Sequence, residues 1–247
     1  MEYAELVRRN LRTVRERIAE AALRSGRSPD EVTLVAVTKT FPVQAILVGY
    51  AAGLRHFGEN RPEEGAEKIP QVNAAMKGEL PAWHMVGHVQ SRKAELVVAH
   101  FDRVHSIDRL KIARRLNRLA GEAGKEMPVL LECNVSGEAS KYGFPADRWQ
   151  GDAGQREALF AACADVLALP ALRVEGLMTV APIAADPDDV RPVFAALRAL
   201  RDALRERFPR ALGEQLSMGM SDDFEAAVEE GATMVRIGRS IFGPRPN

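Results

Sequence analysis

The sequence predicts an α/β fold: a single (β/α)8 TIM barrel with an extra N-terminal helix. Short β-branched runs alternate with amphipathic helical stripes along nearly the whole chain. Such alternation marks parallel β-α units, and eight of them in about 220 residues favour a closed barrel over an open doubly wound sheet. No shift in composition marks a second domain, so residues 1–247 read as one domain, with 1–28 packing on the outside or base of the barrel.

In chain order, Val7, Leu11, Val14, Ile18 and Ala21 form a helical stripe closed by Gly26 and Pro29. Its arginines read as a solvated face. Thr33–Thr40 is rich in β-branched residues and reads as a buried first strand. A helix over 43–52 follows, then a short strand over 56–60 and an acidic helix start at Glu63 and Glu64. Residues 83–88 are the third strand, with a helix near 91–99. Residues 102–106 are the fourth, with Asp108 as the cap of a helix carrying Leu110, Ala113, Leu116 and Leu119. Residues 128–135 are the fifth, followed by a long loop and a helix from about 155 to 167. Strand six is 174–178, and the helix after Asp188 buries Val193, Phe194, Leu197, Leu200, Leu204 and Phe208. Strand seven is 215–218, a helix spans 222–230, and strand eight is 234–237.

Composition excludes several function classes. Lys plus Arg equals Asp plus Glu at 34 each, so no net field favours nucleic acid or an anionic membrane. Residues 1–25 are densely charged and lack the apolar core of a signal peptide, and no apolar run approaches a membrane span. Cys133 and Cys163 read as buried thiols, which fits a reducing cytosol.

The chemistry collects at the predicted C-terminal strand ends, where barrels of this class keep their working groups. Lys39 closes strand one, on the face shared with Thr33, Val35 and Val37. Only seven of the 34 basic residues are lysines. A buried lysine is lost, paired or used, and desolvation makes it a nucleophile toward aldehydes. Asn60 ends strand two. Ser217-Met218-Gly219 leads from strand seven into a helix, and Arg236-Ile237-Gly238-Arg239 leads from strand eight into a terminal turn. Loops after the last two strands often hold a phosphate through backbone N–H groups, and glycine allows close approach. Arg236 shares a face with Gly238 and presents a permanent cation. A phosphate anchor beside an aldehyde-reactive amine describes pyridoxal 5′-phosphate, and an aldolase acting on sugar phosphates needs the same parts. His84 and His88 face one side of strand three as packed or hydrogen-bonded histidines rather than a metal site. Glu59, Glu63 and Glu64 complement a helix N-terminus.

Val35-Ala36-Val37-Thr38-Lys39, Phe57-Gly58-Glu59-Asn60, Trp83 to Gln90, Leu216 to Asp222 and Val235 to Gly238, five blocks in order, resemble the pyridoxal phosphate homeostasis proteins. The resemblance covers nearly the whole chain. It implies a fold-type III barrel like the N-terminal domain of alanine racemase, with the cofactor held as a Schiff base on Lys39. It implies that Ser217 and the backbone of Met218–Gly219 and Gly238–Arg239 hold the phosphate. Arg236 then approaches the pyridine nitrogen and keeps it unprotonated. Arg239 departs from the small residue that many relatives carry.

The implied role is a non-catalytic carrier that buffers or delivers the cofactor, working in the cytoplasm as a monomer with transient contact to pyridoxal-dependent apo-enzymes. The alternative is an amino-acid racemase, which needs a proton donor opposite Lys39. In alanine racemases that donor is a tyrosine from a second domain, which this sequence is not expected to contain. Tyr3 and Tyr50 fall on helices away from the mouth, which leaves Tyr142. An aldolase lacks an evident carboxylate beside Lys39. The segment 136–154 after strand five is long for a barrel loop. Within it Lys141, the only other lysine expected near the mouth, reads as a possible relay for the aldehyde and Tyr142 as a lid residue.

Overall fold

The structure, a computed structural model, describes residues 1–244; the last three residues of the predicted 1–247 domain lie outside them. Among the described residues nine strands form: β1 (Thr33–Val37), β2 (His56–Glu59), β3 (Ala82–Met85), β4 (Arg103–Ile107), β5 (Met127–Asn134), β6 (Phe144–Pro145), β7 (Leu172–Met178), β8 (Gln215–Ser217) and β9 (Met234–Ile237). Eight of them follow the order β4-β3-β2-β1-β9-β8-β7-β5, and β4 pairs with β5 to close the ring. All these pairings are parallel. The ninth, β6, is a two-residue addition on the far side of β5, pairing Cys133 with Phe144. It lies inside the segment that the sequence reads as loop, because two residues give no periodicity to detect.

The helices are α1 (Glu2–Arg24), α2 (Val43–Ala51), α3 (Pro62–Ala75), α4 (Ala94–His100), α5 (Leu110–Glu122), α6 (Ala153–Leu167), α7 (Arg191–Arg207), α8 (Phe224–Glu229) and α9 (Arg239–Phe242). Helices α3, α5, α6, α7 and α8 pack their apolar residues against strands of the sheet. On α7, Phe194, Leu197, Leu200 and Leu204 are fully buried, as the 3.6-residue period requires. Asp152 caps α6 by accepting the Gln155 N–H. Asp108 does not cap α5. Its carboxylate is held instead by His88 and Arg109, and no side chain caps that helix.

The first helix buries Val7, Leu11, Val14, Ile18 and Ala21 and packs on the outside of the fold against α8, α9 and α2. Its arginines are more than a solvated face. Arg17 and Arg24 reach Glu225 and Glu229 on α8, while Asn10 donates to the Ile241 carbonyl beside α9. Both predicted thiols, Cys133 and Cys163, are free and buried.

Parity then fixes the two faces of each strand. Leu34 and Ala36 pack outward against helices, while Leu130, Met178 and Met234 form a small apolar cluster of their own inside the ring. Most barrels fill that interior with branched aliphatics. Here His84, His105, Ser217 and Arg236 occupy it, all buried.

Close backbone approach constrains the ring as much as side-chain packing does. A Cβ on Gly176 of β7 would lie 1.9 Å from the Gln215 carbonyl oxygen of β8, a main-chain atom with nowhere to retreat. Gly176→Ala is therefore expected to cost about 2–4 kcal/mol, from overpacking against a ladder that must part. Urea unfolding measures it, and a change within 0.5 kcal/mol of zero, roughly the range of an ordinary surface substitution, would show that the ladder yields.

Candidate functional site at the barrel mouth

The strand carrying Lys39 ends two residues earlier than expected, at Val37, and Lys39 sits half-buried in a turn. Thr40 takes φ 68, the only described non-glycine residue with positive φ. Such a conformation persists only where the surroundings hold it. They do so from both sides. Lys68 of α3 donates to the Thr38 carbonyl at 2.9 Å, and Glu64 accepts the Thr40 N–H at 2.5 Å. Thr38 Oγ1 donates to Glu59 at 2.7 Å, and Lys68 lies 3.1 Å from the same carboxylate oxygen. Burial pushes the Glu59 carboxyl up, and its second oxygen has no hydrogen-bond partner.

Glu59 and Glu64 thus clamp the lysine turn, a role that replaces the helix-terminus one. Glu63 pairs outward with Lys93. Lys68 was invisible from the sequence because its place on α3 reads as one more helical charge, yet it is a second lysine close to the mouth.

The loop after β9 closes against the end of β1, and the loop after β8 lies beside β9, where Gly219 accepts the Arg236 N–H at 3.0 Å. A Cβ on Gly238 would meet the Val37 carbonyl oxygen at 2.9 Å, so the Gly238 backbone lies directly beside the strand that delivers Lys39. Gly219 has φ +91 and packs on α8 so tightly that a Cβ would stand 2.6 Å from Ala227. Met218, just before Gly219, is fully buried. The first N–H groups of α9 have no carbonyl one turn back to bond. The Arg239 side chain turns outward and pairs with the exposed Asp222 at 2.8 Å, so its backbone rather than its guanidinium is directed at the mouth loop.

Arg236 lies inside the ring, paired in register with Val35 of β1. Its two terminal nitrogens donate to Ser217 Oγ at 2.7 Å and the Thr179 carbonyl at 2.8 Å. Burial lowers its pKa to about 10, with Asp223 and Glu132 opposing the shift, so it stays charged at neutral pH. The Ser217 hydroxyl has no exposed surface, being shared between Arg236 and His105. Burial, reinforced by Asp108, raises the Glu132 carboxyl to about 7, with Arg236 opposing. Glu132 stands two residues after the inward Leu130 on β5 and so shares its face, an inward carboxylate that the sequence did not reveal because its strand reads as uniformly buried.

The segment after β5 leans over this arrangement. Tyr142 stacks on His88 with ring centroids 4.0 Å apart, and His88 lies 2.8 Å from Asp108. Lys141 donates to the Ala181 carbonyl beyond β7 at 3.3 Å and lies 3.8 Å from Glu138. Asn134 organises the base of the segment, accepting from Ser136 and Gly137 and donating to the Glu138 carbonyl. Asn60, one residue past β2, is half-buried, and its carbonyl oxygen fills the space a Cβ on Gly87 would need.

The donor set suits a ligand with an aldehyde and a phosphate: one half-buried amine, a buried guanidinium, and two glycine turns open to close backbone approach.

Glu132 gives a pH test of this electrostatic arrangement. Its folded pKa of about 7 exceeds the ordinary glutamate value of 4.5, so the neutral acid is favoured and stability is full below about pH 4.5 and lost as pH rises through 7. Glu132→Gln removes that loss, and relative to wild type it should gain up to about 3 kcal/mol at pH 8 and nothing at pH 4.5. Paired urea titrations check the difference; a variant equally or less stable at pH 8 refutes the assigned environment.

Comparison with known proteins places the chain. Residues 6–246 match the family model of the alanine racemase N-terminal domain. The Escherichia coli K12 protein named pyridoxal phosphate homeostasis protein is 44% identical over 239 residues, covering 96% of this chain and 95% of that one. PipY of Synechococcus elongatus, solved with pyridoxal phosphate bound, is 36% identical at a TM-score of 0.76, covering 92% of this chain and 100% of that one. Alanine racemase of Corynebacterium glutamicum, at 16% identity and TM-score 0.66, shares the barrel over 99% of this chain and 62% of its own. By identity, coverage and fold, the chain belongs to the pyridoxal phosphate homeostasis proteins, within the alanine racemase N-terminal domain family.

Proposed function

We propose that this protein binds pyridoxal 5′-phosphate through Lys39 and buffers or delivers it in the cytoplasm, without catalytic turnover. The observation that carries the reading is the juxtaposition of the Lys39 turn with Gly238 and Arg236, joined through the β1–β9 ladder. Bound there, the cofactor supplies an aldehyde that a lysine amine captures reversibly. The backbone of Met218–Gly219 and Gly238–Arg239 takes the phosphate, with the Ser217–Arg236 pair beneath it, and Asn60 lines the rim. Arg236 remains charged and faces the ring nitrogen, which withholds a proton there and weakens the cofactor as an electron sink. That favours storage over carbanion chemistry.

The tyrosine that racemisation requires opposite the lysine is not supplied by Tyr3 or Tyr50, whose hydroxyls are used at the Phe242 and Glu79 carbonyls. Tyr142 lies against His88, a position that suits a cover over the ring. Lys141 is the proposed relay amine, accepting the aldehyde from Lys39 on its way to an apo-enzyme.

Borohydride reduction of protein loaded with the cofactor is expected to fix mass on the Lys39 peptide, and Lys39→Ala to abolish it; adduct on another lysine of wild type refutes the assignment. Ser217→Ala should weaken binding by about 1–3 kcal/mol, roughly five- to a hundredfold. Pyridoxal lacking the phosphate should bind wild type poorly, and equal affinity for both forms removes the phosphate site.

Lys141→Ala should slow transfer to an apo-enzyme acceptor severalfold. An unaltered transfer rate leaves Lys141 with only its loop contacts to Ala181 and Glu138.

A further inference from the structure

Three of the chain's five histidines stand in file inside the ring, on a path the proposed function does not use. His56 Nδ1 lies 3.1 Å from His84 Nε2, and His84 Nδ1 lies 2.8 Å from His105 Nε2. His105 Nδ1 lies 2.8 Å from Ser217 Oγ, which Arg236 reaches at 2.7 Å. The file begins at the floor, where half-buried His56 borders a cavity of about 470 Å³ with Arg15, Thr33 and Gly53. It ends under the mouth. The rings meet edge to face and do not converge, and among the described residues no cluster of His, Cys, Asp or Glu could hold a metal ion.

Donor and acceptor counting gives the file a direction. A guanidinium only donates, so Arg236 occupies one lone pair of Ser217 Oγ. Among the described residues the only other group bonded to that oxygen is His105 Nδ1, so the hydroxyl proton goes there. His105 must then carry its proton on Nε2 and give it to His84 Nδ1, and His84 gives its own Nε2 proton to His56 Nδ1. Burial holds His84 and His105 well below the ordinary imidazole range, with Arg103 adding to both, so each is neutral with one proton.

We propose that His105, backed by His84 and His56, is a positioning residue for the cofactor: it fixes the Ser217 hydroxyl, and through it the Arg236 guanidinium, in a one-way hydrogen-bond column that runs from mouth to floor. The inference rests on the reading of Arg236 as the group facing the cofactor ring. Without His105 the Ser217 proton has no acceptor, and a hydroxyl free to rotate presents either its proton or its lone pair to Arg236. A guanidinium so released can rotate away from the ligand.

The two halves of the imidazole separate cleanly by substitution. Asn at 105 keeps an oxygen near the Nδ1 position and so retains the Ser217 contact while cutting the column below. Gln at 105 keeps a polar group near Nε2, retaining the His84 contact while releasing Ser217.

The first measurement is nitrogen NMR of histidine-labelled, ligand-free wild type, in which His84 and His105 should both be neutral with the proton on Nε2. Arg236→Met should remove the lock and leave both rings averaging between tautomers. The second is binding of pyridoxal 5′-phosphate. His105→Gln should weaken it about tenfold, as loss of one neutral hydrogen bond predicts, while His105→Asn stays within about threefold of wild type. A proton on Nδ1 of His105, tautomers indifferent to Arg236→Met, or equal losses in the Gln and Asn variants overturns the column. Failure of wild type to bind the cofactor at all defeats the functional reading instead, and the ligand-free tautomers still decide the column.

Discussion

The structure is arranged around a guanidinium buried inside a barrel. Desolvating an arginine is affordable only where oxygen acceptors surround it, because it cannot shed its charge at neutral pH. Arg236 draws those acceptors from three adjacent points of the ring: the Ser217 hydroxyl on β8, the Thr179 carbonyl beyond β7, and the field of Glu132 and Asp223. Each acceptor then needs partners of its own. Ser217 brings in His105, His105 brings in His84, and an interior that would otherwise be aliphatic becomes polar down to the floor. One residue on β9 thereby sets the composition of β2, β3, β4 and β8.

The lysine turn obeys a similar logic on the opposite side of the β1 backbone. Inside the ring, Val35 stands in register with Arg236; outside it, Thr38 is locked to Glu59 and Lys68. Lys39 leaves the strand between these two polar sets. Its own turn is strained at Thr40, and the strain is held by two charged groups of α3 gripping backbone atoms on either side. Breaking a buried ion pair by removing one partner is far more costly than its net contribution suggests. The clamp is therefore a stiff support for the amine.

Much of this was legible in the sequence. The barrel followed from alternating periods, and the mouth followed from it, since a parallel ring gathers all its C-terminal strand ends on one face. Lys39, Gly219, Arg236 and Gly238 were locatable because each sits within a residue or two of a strand end. The interior column was not. His56, His84 and His105 are each one histidine on one short strand, and nothing in the linear order says that the closure of the ring brings them into contact at successive heights. Lys68 and Glu132 escaped for a related reason. A lysine in a charged helix and a glutamate in an apolar strand acquire meaning only from the neighbours that tertiary packing supplies. Asp108 shows the converse error: a capping residue at the right place in sequence faces Arg109 and His88 instead, the latter in the loop that follows β3.

The two sides of the mouth differ in how they are held, and the difference bears on what the site is for. On the β1, β8 and β9 side, Arg236, Gly238 and the Lys39 turn, proposed above to face the ligand, are fixed by the β1–β9 ladder, by the Ser217 and Thr179 oxygens and by close main-chain approach. On the β5 side, residues 136–143 are held by Asn134 at their base, by Lys141 to the Ala181 carbonyl, and by the stack of an exposed Tyr142 on His88, before the chain rejoins the sheet at β6. Contacts of the latter kind contribute little individually and open at small energetic cost. A catalyst gains from rigid groups on both faces of its substrate, because a reacting atom must meet a proton donor at a fixed distance. A carrier needs a firm seat on one face and a cover that lifts on the other, so that the same ligand can be held and then given up. The firm hold on Arg236 and on the turn that carries Lys39, against the few contacts of Tyr142, supports the carrier reading proposed above.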